Sequence, residues 1–196
     1  SSSDDGTVRI WDWKRSKLLE TKRFDGVETD TLVVSSSGVI FAGNDEGEIS
    51  MINGSQNIES IKAHSAGIKR LVWDEKSQRL VSLSYDRKAA LWLFADNQLK
   101  LIKEISLDPC VWPRSCAFVG DEQLAFASFS SSYLMYDIRK NEWEKSHAID
   151  TDGVNAVVEF RGGVFTIGDS GVVKKDGKRF NSVGSLCNFL CPFEDS

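Results

Sequence analysis

The sequence repeats itself at intervals of about 40 residues, and this repeat limits the possible folds more than any other feature. Ser3, Asp5 and Trp11 have the same spacing as Ser84, Asp86 and Trp92. With weaker copies included, the anchor positions are residues 5, 45, 86, 130 and 169, spaced by 40, 41, 44 and 39 residues. A period of this length with a Trp–Asp signature is typical of stacked four-stranded units.

The segments between the anchors have the pattern of short β-strands. Ile68–Trp73, Leu80–Leu83 and Val154–Glu159 are rich in β-branched and aromatic residues, and Gly, Asn, Asp and Ser separate such segments as turns require. No twelve-residue stretch has a helical apolar period. The sequence therefore predicts an all-β fold of four-stranded antiparallel sheets. We expect a partial unit over 1–23, complete units over about 24–63, 64–107, 108–149 and 150–184, and the first strand of a further unit within 185–196.

The repeat resembles that of the WD-repeat β-propeller family, across essentially the whole chain and with specific motifs around Trp11 and Trp92. His64, Ser84, Asp86 and Trp92 match the family's structural tetrad. The resemblance implies that Asp86 accepts from His64, that His64 meets the Ser84 hydroxyl and that Ser84 meets the Trp92 indole. The other units lack the loop histidine and place Met51 or Tyr136 at the tryptophan position, so they depend on apolar packing.

The resemblance also bears on what the 196 residues can build. At this period they make between four and five blades, and the repeat is cut inside a blade at both ends. We therefore expect an incomplete ring, or part of a larger propeller that another chain or a missing segment completes.

His64, Ser84 and Asp86 could also be taken for a hydrolase triad. A triad needs an exposed nucleophile and an oxyanion hole, and no G-x-S-x-G elbow surrounds Ser84. The structural interpretation fits the spacing better, so we predict that the protein is not an enzyme and has no catalytic residues. The phosphate-binding glycine patterns are missing, and no cofactor is expected. The four cysteines (Cys110, Cys116, Cys187 and Cys191) are expected to be buried free thiols without a metal.

Charge and hydropathy exclude other classes of partner. The 29 acidic residues outnumber the 24 basic ones, which gives a net charge of −5 and disfavours nucleic-acid binding. No apolar run is long enough to span a membrane, and the sequence does not begin with a signal peptide. We expect an intracellular protein, cytoplasmic, with the nucleus left open.

The family resemblance places the candidate binding residues on one rim of loops. The residues before each turn aspartate, or its equivalent, are Asp4, Asn44, Tyr85, Phe129 and Gly168, and a loop adds Trp112 and Arg114. Tyr, Trp and Arg are enriched at binding hot spots. We predict a non-catalytic scaffold that binds a protein or peptide through Tyr85, Trp112, Arg114 and Phe129. Packing between blades is the alternative role for Trp112 and Phe129.

Two other functions fit parts of the sequence. Tyr136–Arg139 is similar to the W-D-x-R element of propellers that serve as substrate receptors in ubiquitin-ligase assemblies, with Tyr in place of Trp. The chain could also be the propeller module of a larger multidomain enzyme.

Overall fold

The computed structural model describes residues 1–54, 57–129, 133–144 and 153–193. The regular elements in these ranges are all β-strands, and the chain divides into two compact units, residues 1–106 and 107–196. This confirms the predicted all-β class of antiparallel sheets. Within the described ranges, no helix has the length and apolar character needed to cross a bilayer.

The first unit contains three antiparallel sheets. A three-stranded sheet joins β1 (Ser2–Ser3), β2 (Thr7–Asp12) and β3 (Lys17–Arg23) in chain order. The next sheet joins β4 (Thr31–Val34), β5 (Ile40–Gly43), β6 (Glu48–Asn53) and β7 (Asn57–Lys62). The last joins β8 (Ile68–Asp74), β9 (Arg79–Ser84), β10 (Lys88–Ala95) and β11 (Gln98–Ser106).

The second unit contains two four-stranded sheets. The first joins β12 (Val111–Val119), β13 (Gln123–Ser128), β14 (Leu134–Asp137) and β15 (Glu142–Trp143). The predicted unit over about 108–149 extends beyond β15, and its residues 145–149 lie outside the described residues. The other sheet joins β16 (Val154–Phe160), β17 (Gly163–Gly168), β18 (Val172–Lys175) and β19 (Lys178–Ser182).

An aromatic and aliphatic core joins the two four-stranded sheets of the first unit. Phe41 on β5 stacks on Trp73 of β8 with ring centroids 5.2 Å apart, and the edge of Phe94 on β10 contacts Phe41 at 5.1 Å. Phe41 is fully buried, as are Leu71 and Leu80 in the same cluster. Burial of this kind provides most of the free energy that holds stacked sheets together.

A buried hydroxyl connects the first strands of neighbouring sheets in both units. The Thr31 hydroxyl on β4 accepts the N–H of Leu71 on β8 at 3.0 Å. In the second unit the Ser115 hydroxyl on β12 accepts the N–H of Val157 on β16 at 3.1 Å and donates to its carbonyl at 3.3 Å. These bonds satisfy backbone groups that no strand pairs, so they fix the offset between adjacent sheets.

Four turns in the described residues share one backbone conformation, those that precede β2, β6, β10 and β18. In each of these four an N–H donates to the carbonyl three residues earlier, and the donor residue has φ between +67° and +80°. The donor residues are Gly6, Gly47, Arg87 and Gly171. Glycine suits this position because it adopts positive φ without a steric cost.

The predicted strand over residues 185–193 is wrong. No strand is present in 183–193, although Cys187 donates its N–H to the Gly168 carbonyl at 3.1 Å. Ile68 makes the equivalent bond to Asn44 in the first unit, and there the chain continues into the paired strand β8. A strand requires a hydrogen-bonded neighbour along its length, and the described residues offer none to residues 188–193.

Candidate functional site

One buried polar network links the first-unit loop at His64 to strands β9 and β10. His64 Nδ1 lies 3.0 Å from Asp86 Oδ2, and His64 Nε2 lies 2.7 Å from Ser82 Oγ. Trp92 Nε1–H donates to the same Ser82 oxygen at 3.0 Å. Asp86 also accepts the backbone N–H of Ser65 at 3.1 Å. The network is completely connected, which makes the loop rigid.

The serine of this network is Ser82, so the prediction of Ser84 is wrong. The β9–β10 register pairs Ala90 with Ser82, one diagonal step from Trp92. Ser84 lies at the turn end of β9, about 13 Å along the strand from the level of Trp92 at ~3.3 Å per residue. Its hydroxyl instead donates to the Ala66 carbonyl at 2.8 Å and accepts the Asp86 N–H at 3.1 Å.

The prediction of Met51 at the tryptophan position is also wrong. The pairing of β6 with the outer strand β7 starts at Glu48, and the pairing of β10 with the outer strand β11 starts at Lys88. Trp92 lies four residues after Lys88, so its equivalent is Ile52. Ile52 is buried in a cluster with Val8 and Ala42, whereas Met51 packs in the cluster that contains Trp92 itself.

The network has no free nucleophile. The side chain of His64 is 2 % exposed, and each of its ring nitrogens has a partner. Burial, only partly opposed by the nearby Asp86 carboxylate, lowers the pKa of His64. Burial alone would raise the pKa of Asp86, but the hydrogen bonds from Ser65 and His64 lower it overall. A neutral imidazole beside an ionised carboxylate is suited to a structural role here.

Backbone hydrogen bonds identify equivalent rim positions in four sheets. The N–H of a residue one or two positions after the second strand donates to a carbonyl 16 to 19 residues earlier, at 2.9–3.1 Å. The residues at this position, called the rim position below, are Asp45, Tyr85, Phe129 and Asp169. The predicted members Asn44 and Gly168 are therefore one residue too early.

Tyr85 is the rim aromatic of the first unit, and it is 50 % exposed. The ammonium of Lys69 lies 4.9 Å from its ring centroid. Lys69 also forms ion pairs with Asp30 and, at 2.6 Å, with Asp45. Partial burial by itself would lower the pKa of Lys69, but these two carboxylates raise it. Lys69, which the sequence did not single out, thus holds the ring and the two acids together.

Three carboxylates surround this lysine. One oxygen from each of Glu28, Asp30 and Asp45 lies within 4.8 Å of the others. The shared hydrogen bond with Asp45 and its negative charge raise the pKa of Glu28, whereas Lys69 lowers the pKa of Asp45. The Lys69 ammonium is one positive charge beside three carboxylates, so the rim of the first unit keeps an excess of negative charge.

Phe129 is the rim aromatic of the second unit, and it is also 50 % exposed. Its ring packs against Trp112, with centroids 5.4 Å apart and planes tilted by 59°. Trp112 and Arg114 lie on strand β12, so the prediction that they belong to a loop is wrong. The β12–β13 register is interrupted between Val111 and Cys116, which leaves residues 112–115 outside the ladder. The Phe129 ring therefore packs against Trp112 and is half exposed to solvent at the same time.

Arg114 is held by an amide in the same unit. Its Nη1 donates to Asn155 Oδ1 at 2.9 Å. The Asn155 amide nitrogen donates to Asp169 Oδ1 at 2.9 Å and to the Cys187 carbonyl at 3.2 Å. Gly153 lies between Asp169 and the Phe129 ring, since a Cβ built on it would lie 2.8 Å from Asp169 Oδ2 and 3.8 Å from Phe129 Cδ1. Asn155 and Asp169 are site residues that the sequence did not indicate, since no side-chain type distinguishes them.

The remaining predicted residues lie elsewhere. Arg139 follows β14, has a 77 % exposed side chain and pairs with Glu122 at 3.4 Å, whereas Tyr136 is buried. All four cysteines lie in the described ranges and form no disulfide, but only Cys116 is buried, so the predicted burial is wrong for the others.

The comparisons with known proteins establish the fold. A scan against protein-family models and a search of curated proteins find no match. Among solved structures, the chain is similar to the Cps50 (Swd1) β-propeller domain of Myceliophteria thermophila, with 14 % identity, a TM-score of 0.65 and coverage of 85 % of this chain and 75 % of that one. It is also similar to the computationally designed Ika4 protein, with 15 % identity, a TM-score of 0.61 and coverage of 78 % and 92 %. The four-stranded sheets thus have the β-propeller fold.

Proposed function

We propose that the chain is a non-catalytic interaction module that binds a protein or peptide through the rim side chains Tyr85, Trp112, Arg114 and Phe129. The observation that carries this proposal is the half exposure of two large aromatic rings at equivalent rim positions of the two units. Aromatic residues are enriched at binding hot spots, and these two rings are held in place by neighbouring side chains.

The anchoring of these rings supports the proposal. Tyr85 is positioned by Lys69, and Phe129 is positioned by Trp112. A side chain that is already ordered loses little conformational entropy when a partner covers it. The buried His64 network supports the non-catalytic part of the proposal, because each of its polar side chains is occupied by another.

Peptide selection tests the proposal. A display library of random dodecapeptides is selected on the wild-type protein, and the affinity of the retained peptides is measured by fluorescence anisotropy. We expect Tyr85→Ala or Phe129→Ala to weaken binding about 10-fold or more, as hot-spot truncations do. Phe193→Ala, which removes a ring that is 79 % exposed and outside the rim, is the matched control. Retained peptides that bind all three variants like the wild type would refute the proposal, as would a failure to retain any peptide.

The second candidate function is that of an adaptor in a ubiquitin-ligase-like assembly, with Arg139 as the contact residue. The exposure of the Arg139 side chain favours it. In pull-downs of assembly components, Arg139→Ala should abolish recovery; equal recovery by wild type and variant would eliminate this candidate.

A further inference from the structure

Arg114 keeps most of its hydrogen-bonding capacity. Among the residues that the structure describes, its hydrogen-bond partner is the neutral oxygen of Asn155, and no carboxylate lies within ion-pair distance of it. A guanidinium has five N–H donors in a planar fork, so four remain after this bond. The Arg114 residue is exposed, and these donors therefore face solvent at the rim.

The buried side chain of Asn155 fixes the orientation of the Arg114 guanidinium. Asn155 is 5 % exposed, and both hydrogens of its amide are used, on Asp169 and on the Cys187 carbonyl. The amide oxygen must then point at Arg114, which it does at 2.9 Å. Asn155 is thus a positioning residue that holds one edge of the guanidinium and leaves the rest available.

Apolar surface lies beside this donor set. Gly153 connects the two features: a Cβ built on it would lie 3.8 Å from the Phe129 ring and would contact Asp169. Phe129 and Trp112 together form the apolar side of this patch, and the Asp169–Asn155–Arg114 chain forms its polar side. An occupant therefore needs an anionic group next to an aromatic or aliphatic side chain.

We infer that this patch binds an acidic peptide segment in which an Asp or Glu carboxylate engages Arg114 and a neighbouring apolar side chain covers Phe129. The inference rests on the proposed function and names the class of partner. A carboxylate matches the guanidinium fork with two parallel hydrogen bonds. A single carboxylate fits better than a phosphate, because the patch has one cation and the Asp169 carboxylate lies on its far side. One guanidinium neutralises one carboxylate, whereas it would leave the second charge of a dianion without a counter-charge in this patch.

The same peptide selection, repeated on Arg114→Ala, tests the inference. We expect peptides retained by the wild type to be enriched in Asp or Glu adjacent to an aromatic or aliphatic residue, and this enrichment to disappear on the variant. For an individual retained peptide, Arg114→Ala should weaken binding about 10- to 100-fold, as expected for charge-assisted hydrogen bonds. Arg114→Lys should lose part of this affinity, because lysine keeps the charge but not the fork. Arg15→Ala removes another exposed arginine and should change nothing.

A second experiment changes the peptide instead of the protein, so misfolding of Arg114→Ala cannot account for its result. Replacing the peptide's Glu by Gln, or its Asp by Asn, should weaken binding to the wild-type protein by a similar factor. Equal affinity for the acidic and amide peptides overturns the inference. Retained peptides that are neutral or basic and still depend on Phe129 also overturn it, while leaving the proposed function intact. Acidic peptides that bind Tyr85→Ala and Phe129→Ala as well as the wild type would contradict the proposed function instead.

Discussion

The hydrogen bonds of the His64 network determine which tautomer the imidazole adopts. The ionised Asp86 carboxylate can only accept, so His64 Nδ1 carries the hydrogen and donates to it. Nε2 of the neutral imidazole is then unprotonated and accepts from the Ser82 hydroxyl, whose oxygen accepts the Trp92 indole N–H. A second proton on His64 would oppose the Ser82 hydroxyl, which agrees with the lowered pKa of the imidazole.

This arrangement predicts a pH-dependent stability. Because the pKa of His64 is lower in the folded chain than in the unfolded one, the unfolded chain takes up the proton first. The His64 contribution is therefore complete above about pH 6.5 and is lost as the pH falls below it, by at most ~1.4 kcal/mol per pH unit. Between pH 7.5 and 5, denaturant titrations should show a smaller decrease in the free energy of unfolding for His64→Gln than for wild type. Identical slopes for wild type and variant would contradict the assignment.

A double-mutant cycle distinguishes Ser82 from Ser84. Ser82 shares a hydrogen bond with Trp92, and Ser84 does not. We expect Ser82→Ala and Trp92→Phe to be coupled by about 1 kcal/mol in the free energy of unfolding, since contacting residues are non-additive. Ser84→Ala and Trp92→Phe should add to within ~0.5 kcal/mol. Coupling of Ser84 rather than Ser82 would show that the register deduced for β9 and β10 is wrong.

At the scale of the elements, the turn between the second and third strands holds the following connection in place. The Gly47 carbonyl accepts the N–H groups of Ala63 and His64 in the first unit, and the Gly171 carbonyl accepts that of Val183 in the second. The chain that leaves each sheet therefore passes directly over the turn glycine. This close approach excludes a side chain at Gly47, because a Cβ there would overlap the His64 carbonyl.

Substitution of two glycines separates this contact from backbone strain. Gly47 and Gly38 both have positive φ, +80° and +87°, but a Cβ on Gly38 would meet nothing within 4 Å. Gly38→Ala should cost about 1–2 kcal/mol for the left-handed conformation alone. Gly47→Ala should cost a further ~1–3 kcal/mol because it overpacks the turn. Chemical denaturation measures both; equal losses would mean that the His64 loop does not constrain the turn.

For the whole molecule, the residue pattern predicted the positions of the sheets more accurately than the contacts between side chains. The Asp–Trp spacing located the sheets because a turn followed by a strand recurs in each period. It could not choose between Ser82 and Ser84, since both lie on one face of β9 and only the register to β10 separates them. The Trp112–Phe129 pair and the Asn155 support of Arg114 depend on an interrupted ladder and on residues about 40 positions apart, for which the sequence has no local signal.

The two units present different chemistry at their rims. Tyr85 lies beside Lys69 and an excess of carboxylates in the first unit, whereas Phe129 lies beside the Arg114 patch in the second. A β-propeller fold by itself specifies no ligand. These side chains, rather than the fold, therefore carry the proposed recognition of a protein or peptide.

The central claim is that a partner segment binds at the rim, and amide chemical-shift mapping tests it most directly. A peptide retained in the selection is titrated into ¹⁵N-labelled protein. We predict that the largest chemical-shift changes fall on rim amides, either at Tyr85 or at Phe129, Gly153 and Asp169. The amide signals of Phe180 and Phe193 should not move. Shifts concentrated on β19 and residues 186–193, with the rim unchanged, would contradict the account.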